Sequence, residues 1–303
     1  MHHTLCALCE TDQWDRLLYA ERLPPGSFTG ERFSARRMPD RIHYRMVRCL
    51  KCGSIRSDPV LSGDELAELY SDSRMTYGEE AAYAGETYAS YLRDCLEVMP
   101  ARGRLLEIGC GSGFFLERAL DLGFGEVHGV EPSRDAVDQA SAHVKACIRN
   151  DCFREGLYPD GFFDIICGFQ VFDHLSGPNE VLQACRRALR PGGIVFWIHH
   201  DAGAWTNRLL AEASPIIDVE HVYLFDRRTM ARMLGKNGFE VLRVFPVRNR
   251  YPLSYWLSLA PLPSGLKQHL IAMLRGTGLG QVALRWNAGN FGIVARVTDS
   301  QLS

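Results

Sequence analysis

Four of the ten cysteines in this 303-residue chain form two C-x-x-C pairs, Cys6/Cys9 and Cys49/Cys52. Each pair can present two thiolates from one tight turn, and two such turns complete a tetrahedral shell for zinc. Because four thiolates leave no open position for water, we expect a structural zinc ion rather than a catalytic one. A redox dithiol and an iron–sulfur site are the alternatives that this spacing allows.

A second group of residues suits proton transfer. Asp173 and His174 are adjacent, and an imidazole that titrates near neutral pH can act as a general base when a carboxylate orients it. His200 and His221 are alternative bases. Each of these histidines also has a structural interpretation, as a packing or helix-capping residue. We take Asp173, His174 and His200 as the candidate catalytic residues.

The stretch from Arg104 to Glu117, RLLEIGCGSGFFLE, predicts the elements that would hold a ligand. It reads as a buried strand, a turn with glycines at 109, 111 and 113, and a helix from Phe114. Glycines allow close approach of the backbone, and a helix N-terminus offers free N–H groups. Glu107 would repel a pyrophosphate, but it suits a ligand with an ammonium group, such as S-adenosylmethionine.

With Glu107, this turn resembles the first motif of the class I methyltransferases, (D/E)-x-G-x-G-x-G. Further motifs follow in the family's order: Glu131 after a second strand, Asp151 after a third, a fourth strand from Phe163 to Cys167, and L-R-P-G-G at 189–193 before a fifth strand. The resemblance implies an α/β fold with a Rossmann-like seven-stranded sheet. The cofactor-binding residues that it implies are Glu107, Gly109, Cys110, Gly111, Gly113, Glu131, Pro132, Asp151, Cys152, Phe169 and Gln170. A Rossmann-like domain for another nucleotide is the alternative.

The cysteine pairs and the Asp173-His174 pair together resemble zinc-containing sugar C-methyltransferases, in which the acid–histidine pair helps to deprotonate the substrate. Those enzymes have a tyrosine where this chain has Val171, and they usually continue into a further C-terminal domain. The resemblance implies a small-molecule acceptor, such as a nucleotide-linked sugar, methylated at carbon or oxygen. A non-catalytic binding subunit of the same fold is one alternative.

RNA methylation is another alternative, in which arginines near the cysteines would hold the RNA. These arginines are at positions 32, 36, 37, 41, 45 and 48, and a solvated hairpin face is the explanation that we favour for them. The net charge of −2 excludes a strongly basic chain, so we do not expect a nucleic-acid partner. Without a long apolar run or a secretory signal, we expect a cytoplasmic protein. A homodimer remains open.

The order of these motifs predicts the domain organisation. We expect a zinc-binding module at 1–60, a helical lid or linker at 61–102, and a methyltransferase domain at 103–300. A capped helix should run from Ser62 to Tyr70 and a tyrosine-rich helix from Glu86 to Met99, with Tyr77 and Tyr83 as ligand contacts. An insertion at 248–289, with two short apolar helices, should separate the last two strands, 239–245 and 291–297.

Overall fold

The backbone forms two β-sheets, one of four strands and one of seven. The structure, a computed structural model, describes residues 1–34, 40–75, 78, 80–96, 102–260 and 262–298, without the side chain of Ser264. Arg36, Arg37 and Tyr77, and the predicted end of the tyrosine-rich helix at 97–99, lie outside the described residues.

The seven-stranded sheet carries the glycine-rich turn at its centre. Its strands are β4 (Arg104–Ile108), β5 (Glu126–Val130), β6 (Ile148–Arg149), β7 (Phe163–Phe169), β8 (Leu189–His200), β10 (Phe239–Pro252) and β11 (Ala283–Val297). The order across the sheet is β10-β11-β8-β7-β4-β5-β6. The five neighbouring strands β8, β7, β4, β5 and β6 are parallel to one another. β11 lies antiparallel to both of its neighbours, β10 and β8. This is the predicted Rossmann-like α/β fold, and its strand order reverses beside β4, where such sheets bind ligands.

Helices flank this sheet and precede its first strand. They are α1 (Gly63–Ser71), α2 (Glu80–Asp94), α3 (Phe114–Asp121), α4 (Arg134–Asp138), α5 (Ala142–Lys145), α6 (Pro178–Ala188), α7 (Trp205–Leu210) and α8 (Arg227–Lys236). The predicted capping box of Ser62 and Glu65 is present at α1. The predicted start of α2 at Glu86 is wrong: the helix begins at Glu80, because Ala84 and Gly85 also pack inward, where Gly85 lies against Phe114.

The four-stranded sheet joins the N-terminal segment to the rest of the chain. Its strands are β1 (Asp15–Tyr19), β2 (Met46–Cys49), β3 (Ile55–Ser57) and β9 (Tyr223–Leu224), in that order. β9 belongs to the C-terminal half of the sequence, and it pairs antiparallel with β3. The Tyr223 hydroxyl also donates a hydrogen bond of 3.0 Å to the Leu5 carbonyl. The sheet of the cysteine-rich segment is therefore completed by a strand from the larger domain.

The late insertion forms an arm at the edge of the large sheet. The two predicted helices are present as α9 (Leu253–Leu259) and α10 (Ser264–Gly276). The predicted ranges of the flanking strands are too short, because β10 and β11 continue past the sheet as a paired ribbon as far as Pro252 and Ala283. None of the helices in the described part of the chain is long and apolar enough to cross a membrane.

Candidate cofactor and acceptor site

The glycine turn after β4 adopts a backbone that side chains would disfavour. Gly109, Gly111 and Gly113 have φ values of 69°, 54° and 74°, in the left-handed region. A Cβ atom on Gly109 would lie 2.7 Å from a methyl carbon of Val171. Both the conformation and the space around the turn therefore require glycine at position 109.

Glu131, at the end of β5, fixes the shape of this turn. Its two carboxylate oxygens accept hydrogen bonds from the backbone N–H groups of Gly111 (2.8 Å) and Ser133 (2.9 Å). Burial raises the pKa of Glu131, and these two hydrogen bonds lower it in part. Because both oxygens already hold the backbone, ribose hydroxyls would have to bind to the remaining lone pairs.

Glu107, two residues before Gly109, is a buried acid whose Oε2 atom has no hydrogen-bond partner among the described residues. Only 1% of its surface is exposed. Burial raises the pKa of Glu107 well above 4.5, and the nearby Glu131 raises it further. A cationic ligand would stabilise the ionised carboxylate and lower its pKa, whereas a pyrophosphate would raise that pKa further. These residues therefore fit S-adenosylmethionine, which carries an ammonium group.

Three histidines surround Asp173, which follows β7 in a short turn of 3₁₀-helix, Phe172–His174. Nε2 of His174 lies 3.8 Å from Oδ1 of Asp173, and Nε2 of His221 lies 3.5 Å from Oδ2. Nε2 of His200, at the end of β8, lies 3.9 Å from the same Oδ2. The structure thus brings the predicted pair together with both alternative bases at the carboxyl edge of the sheet.

The side chain of Asp173 is only 2% exposed, and neither of its oxygens accepts a hydrogen bond from a described residue. Burial alone would raise the pKa of Asp173. The imidazoles of His221, His174 and His200 oppose this effect, and the net change is downward. The surrounding histidines therefore favour the ionised carboxylate.

Hydrogen bonds to the opposite nitrogen orient each imidazole. Nδ1 of His174 lies 2.9 Å from the Tyr70 hydroxyl, and Nδ1 of His200 lies 3.0 Å from Oδ1 of Asn290. Nδ1 of His221 lies 2.8 Å from the carbonyl oxygen of Ile216. In each ring the Nε2 atom is consequently the one that faces Asp173.

The four N-terminal cysteines form a separate cluster in which all four Sγ atoms lie within 4.8 Å of one another. The Sγ atoms of Cys6 and Cys52 are 3.4 Å apart, and those of Cys9 and Cys49 are 3.9 Å apart. Sulfurs bound to one tetrahedral zinc ion are about 3.8 Å apart, whereas the two sulfurs of a disulfide are about 2.05 Å apart. All four cysteines are free, and their separations fit a zinc shell.

Comparison with known proteins agrees with the fold and the glycine turn. A family model described as a methyltransferase domain matches residues 80–244, more than half of the chain. The chain belongs to this family of methyltransferase domains. Its large sheet is that of the class I S-adenosylmethionine-dependent methyltransferases.

Individual relatives of this methyltransferase domain are more distant. A ubiquinone biosynthesis O-methyltransferase of Rhizobium johnstonii is 34% identical over 113 residues, which cover 35% of this chain and 45% of that protein. An uncharacterized methyltransferase of Schizosaccharomyces pombe is 34% identical over 128 residues, which cover 36% of this chain and 43% of that protein. The chain thus matches less than half the length of these curated relatives.

Among solved structures, a protein described as a methyltransferase from Bacillus halodurans superimposes with a TM-score of 0.50 and 16% identity. The superposition covers 69% of this chain and 99% of that chain. At this level of identity the likeness shows the fold alone.

The other predicted cofactor residues of the methyltransferase domain differ in what they offer a ligand. Asp151 accepts from the backbone N–H of Cys152, which is exposed, and its ion pair with Arg154 lowers its pKa. The Phe169 ring stacks on Tyr88 at 4.3 Å. Of the remaining predicted cofactor residues, Cys110 is buried and Pro132 is half-buried. The Oε1 atom of Gln170 is buried and lacks a partner among the described residues.

Two residues that orient the histidines were not identified from the sequence. Tyr70 lies in α1, and Asn290 lies opposite His200 in the pairing of β11 with β8. Neither belongs to a motif, so only the tertiary structure reveals them. His199, by contrast, is turned into the core, where burial lowers its pKa to about 4.

Proposed function

We propose that this chain transfers a methyl group from S-adenosylmethionine to a small-molecule acceptor. The observation that carries the proposal is the buried Oε2 atom of Glu107, which has no donor among the described residues and lies next to a left-handed glycine turn. Membership of the methyltransferase-domain family supports it. When bound, S-adenosylmethionine supplies a methyl group on a sulfonium centre.

The proposal gives each part of the site a role. Glu107 would accept the ammonium group, and Glu131 would hold the glycine turn while Asp151 meets the adenine. His174 is the proposed proton acceptor, oriented by Tyr70 on one side and Asp173 on the other. The acceptor would lie between the glycine turn and this histidine, because parallel sheets bind ligands at the carboxyl ends of their strands.

Calorimetric titration with S-adenosylmethionine and, separately, with NAD tests the cofactor. We expect the methyl donor to bind and NAD not to bind. Replacing Glu131 by alanine frees Gly111 and Ser133, so affinity should fall at least tenfold, or about 1.4 kcal/mol. Glu126→Ala is the matched control, since Glu126 begins the same strand and is exposed. NAD binding without donor binding would overturn the proposal.

For the acceptor we propose a nucleotide-linked sugar or a related metabolite, methylated at carbon or oxygen. The paired C-x-x-C motifs and the Asp173-His174 pair support this class. The competing class is an acceptor of the kind methylated in ubiquinone biosynthesis, because two of the relatives are ubiquinone biosynthesis O-methyltransferases. Product analysis by mass spectrometry with members of both classes decides between them. Methylation of RNA alone would contradict both.

Ion pairs support the structural explanation for two of the arginines near the cysteines. Arg32 pairs with Asp40 at 3.1 Å, and Arg45 pairs with Asp58 at 2.5 Å. Arginines held by neighbouring acids have less positive charge to offer to phosphates. These pairs support a structural role for this segment rather than RNA binding.

We further propose that Cys6, Cys9, Cys49 and Cys52 hold a structural zinc ion. Cys49→Ser should remove one zinc ion per chain and lower the free energy of unfolding by several kcal/mol, because binding energy at such sites is folding energy. Cys147→Ser, at a half-buried cysteine outside the cluster, should leave the zinc content unchanged. Iron in the purified protein, or full zinc content in the Cys49 variant, would contradict this assignment.

The predicted domain organisation remains a proposal, with one addition. The cysteine-rich segment and residues 223–224 share a sheet, so we propose that they fold together.

A homodimer through the α9–α10 arm is supported by exposed apolar side chains there, Leu266 and Met273 among them. Sedimentation velocity of the full chain tests this, and a monomer at high concentration would contradict it.

A further inference from the structure

We propose that Asp173, His200 and His221 bind a divalent transition-metal ion at the carboxyl edge of the large sheet. The site is distinct from the cysteine cluster, and it is built from three separate segments of the chain. Its existence does not depend on the proposed methyl transfer, although the use suggested for it below does.

The separations of the ligand atoms are those of groups that share an ion. Oδ2 of Asp173 lies 3.5 Å from Nε2 of His221 and 3.9 Å from Nε2 of His200. All three ligand atoms lie within 4.8 Å of one another. Ligands about 2.1 Å from one ion lie about 3.0–3.5 Å apart, for angles between octahedral and tetrahedral. A small inward movement of His200 therefore completes the shell.

The hydrogen bonds at Nδ1 leave Nε2 of each ring facing the carboxylate and available to a metal ion. A carbonyl oxygen can only accept, so Nδ1 of His221 must donate to Ile216. His200 likewise lies with Nδ1 against the amide oxygen of Asn290. A metal ion that displaces the Nε2 protons then finds a lone pair on each Nε2, directed toward the oxygens of Asp173. Metal-bound histidines have this second-shell arrangement, in which the other nitrogen donates to a carbonyl or amide oxygen.

The carboxylate itself supplies the reason for a cation. Asp173 is almost fully buried, and neither oxygen receives a hydrogen bond from a described residue. Such a group costs free energy unless a positive charge or a donor compensates it. Two neutral imidazoles and one carboxylate are a ligand set that suits zinc, iron, cobalt or manganese.

The two oxygens of Asp173 divide the cluster between two tasks. His200 and His221 face Oδ2, whereas His174 faces Oδ1. A metal ion on the Oδ2 side therefore leaves His174 in its own place beside Tyr70. With three protein ligands, the ion keeps at least one open position, and His200 is exposed enough (28% of its side chain) for a ligand to reach it.

An open position on a divalent ion takes an oxygen ligand. If the proposed methyl transfer holds, the acceptor is a molecule whose hydroxyl or enol oxygen binds the ion and is thereby oriented toward the glycine turn. This step rests on the proposed function and narrows it to an oxygen-bearing acceptor. The metal site can be tested without any acceptor.

The direct test is a titration of the full chain with cobalt(II). The protein is first dialysed against a mild chelator, which empties the proposed histidine site and leaves zinc in the cysteine cluster. We expect visible d–d absorption bands of cobalt without thiolate charge-transfer bands, and one cobalt ion bound per chain. Asp173→Asn and His200→Ala should each weaken cobalt binding at least tenfold. His269→Ala, which removes an exposed histidine of α10, should not change it.

Thermal melting of each variant separates a lost site from a lost fold, and His200→Ala, at a partly exposed position, remains usable if Asp173→Asn does not fold. Absence of cobalt bands, or bands with thiolate charge transfer that persist in Asp173→Asn, would overturn the inference. Donor titration on the same samples keeps the two proposals apart. Binding of S-adenosylmethionine without cobalt binding would remove only the metal site.

Discussion

Glu107 and Asp173 are both buried carboxyl groups at the carboxyl edge of one sheet, yet their surroundings move their pKa values in opposite directions. Burial and the nearby acid Glu131 both disfavour ionisation of Glu107, so the pKa of Glu107 is raised. Asp173 is equally buried, but the nearby imidazoles outweigh burial and its pKa is lowered. Each acid has at least one oxygen without a hydrogen bond from the described residues.

The difference shows that burial alone does not decide the charge of an acid. The sign is decided by what the chain places next to it. No cationic side chain in the described part of the chain lowers the pKa of Glu107. Its carboxyl group therefore suits a cation that arrives with a ligand. Asp173 is provided with imidazoles by the chain itself, so it is prepared to remain ionised. Pairs of titratable groups whose pKa values are shifted in opposite directions are common at catalytic sites.

The largest expected effect comes from removing the charge of Asp173. We expect Asp173→Asn to lower the free energy of unfolding by about 3 kcal/mol, because the imidazoles lose their buried counter-charge. The matched change at the other acid, Glu107→Gln, should not destabilise the protein at neutral pH. Urea denaturation of both variants at one pH measures this. Equal losses of stability in the two variants would break the comparison.

A smaller effect, dependent on pH, is expected from Glu107→Gln. Between the unfolded pKa near 4.5 and the raised native pKa, the native state holds a proton that the unfolded state has released. Unfolding free energy of the wild type should therefore fall as pH rises through this window, by about 1.4 kcal/mol per unit.

The Glu107→Gln variant lacks this titration, so its stability relative to the wild type should rise with pH above 4.5 and show no gain below it. Urea midpoints measured across that range provide the test. Glu126→Gln, at the exposed first residue of β5, is the control that should not reproduce the trend. Parallel pH profiles for Glu107→Gln and the wild type would show that Glu107 ionises normally.

The smallest expected effect concerns the orientation of His174. Tyr70→Phe removes one hydroxyl group, which lies 2.9 Å from Nδ1 of His174. We expect a loss of about 1 kcal/mol in unfolding free energy, the net value of one such hydrogen bond. Donor affinity should remain unchanged while methyl transfer slows. Unchanged turnover would mean that Asp173 alone orients this histidine.

The sequence predicted those features whose evidence lies in consecutive residues. The strand, glycine turn and helix around Gly109 are encoded within fourteen residues, and the C-x-x-C pairs are equally local. The approach of His200 and His221 to Asp173 was not predictable, because it depends on how three distant segments meet. The sequence predicted both histidines as alternative bases, with His200 among the candidate catalytic residues, but it did not predict that they face one carboxylate.

The predicted element boundaries failed where tertiary contacts extend an element. The helix α2 begins at Glu80 because its first turns pack on α3, a contact that periodicity within the helix does not encode. The ribbon of β10 and β11 continues because the two strands pair with each other beyond the sheet. β9 is two residues long, too short for any pattern to show its partner in the N-terminal sheet.

The pairing of β9 with β3 has a consequence for how the two clusters of metal-ligating side chains affect each other. His221 directly precedes β9, and its carbonyl accepts a hydrogen bond of 2.8 Å from the hydroxyl of Ser57, eight positions after Cys49. This hydrogen bond links the strand that follows the cysteines to the residue whose imidazole faces Asp173. Thermodynamic reciprocity makes any influence between two sites mutual. If the proposed zinc and acceptor sites are coupled in this way, a ligand that tightens the acceptor site also raises the affinity of the cysteines for zinc, by the same free energy of coupling.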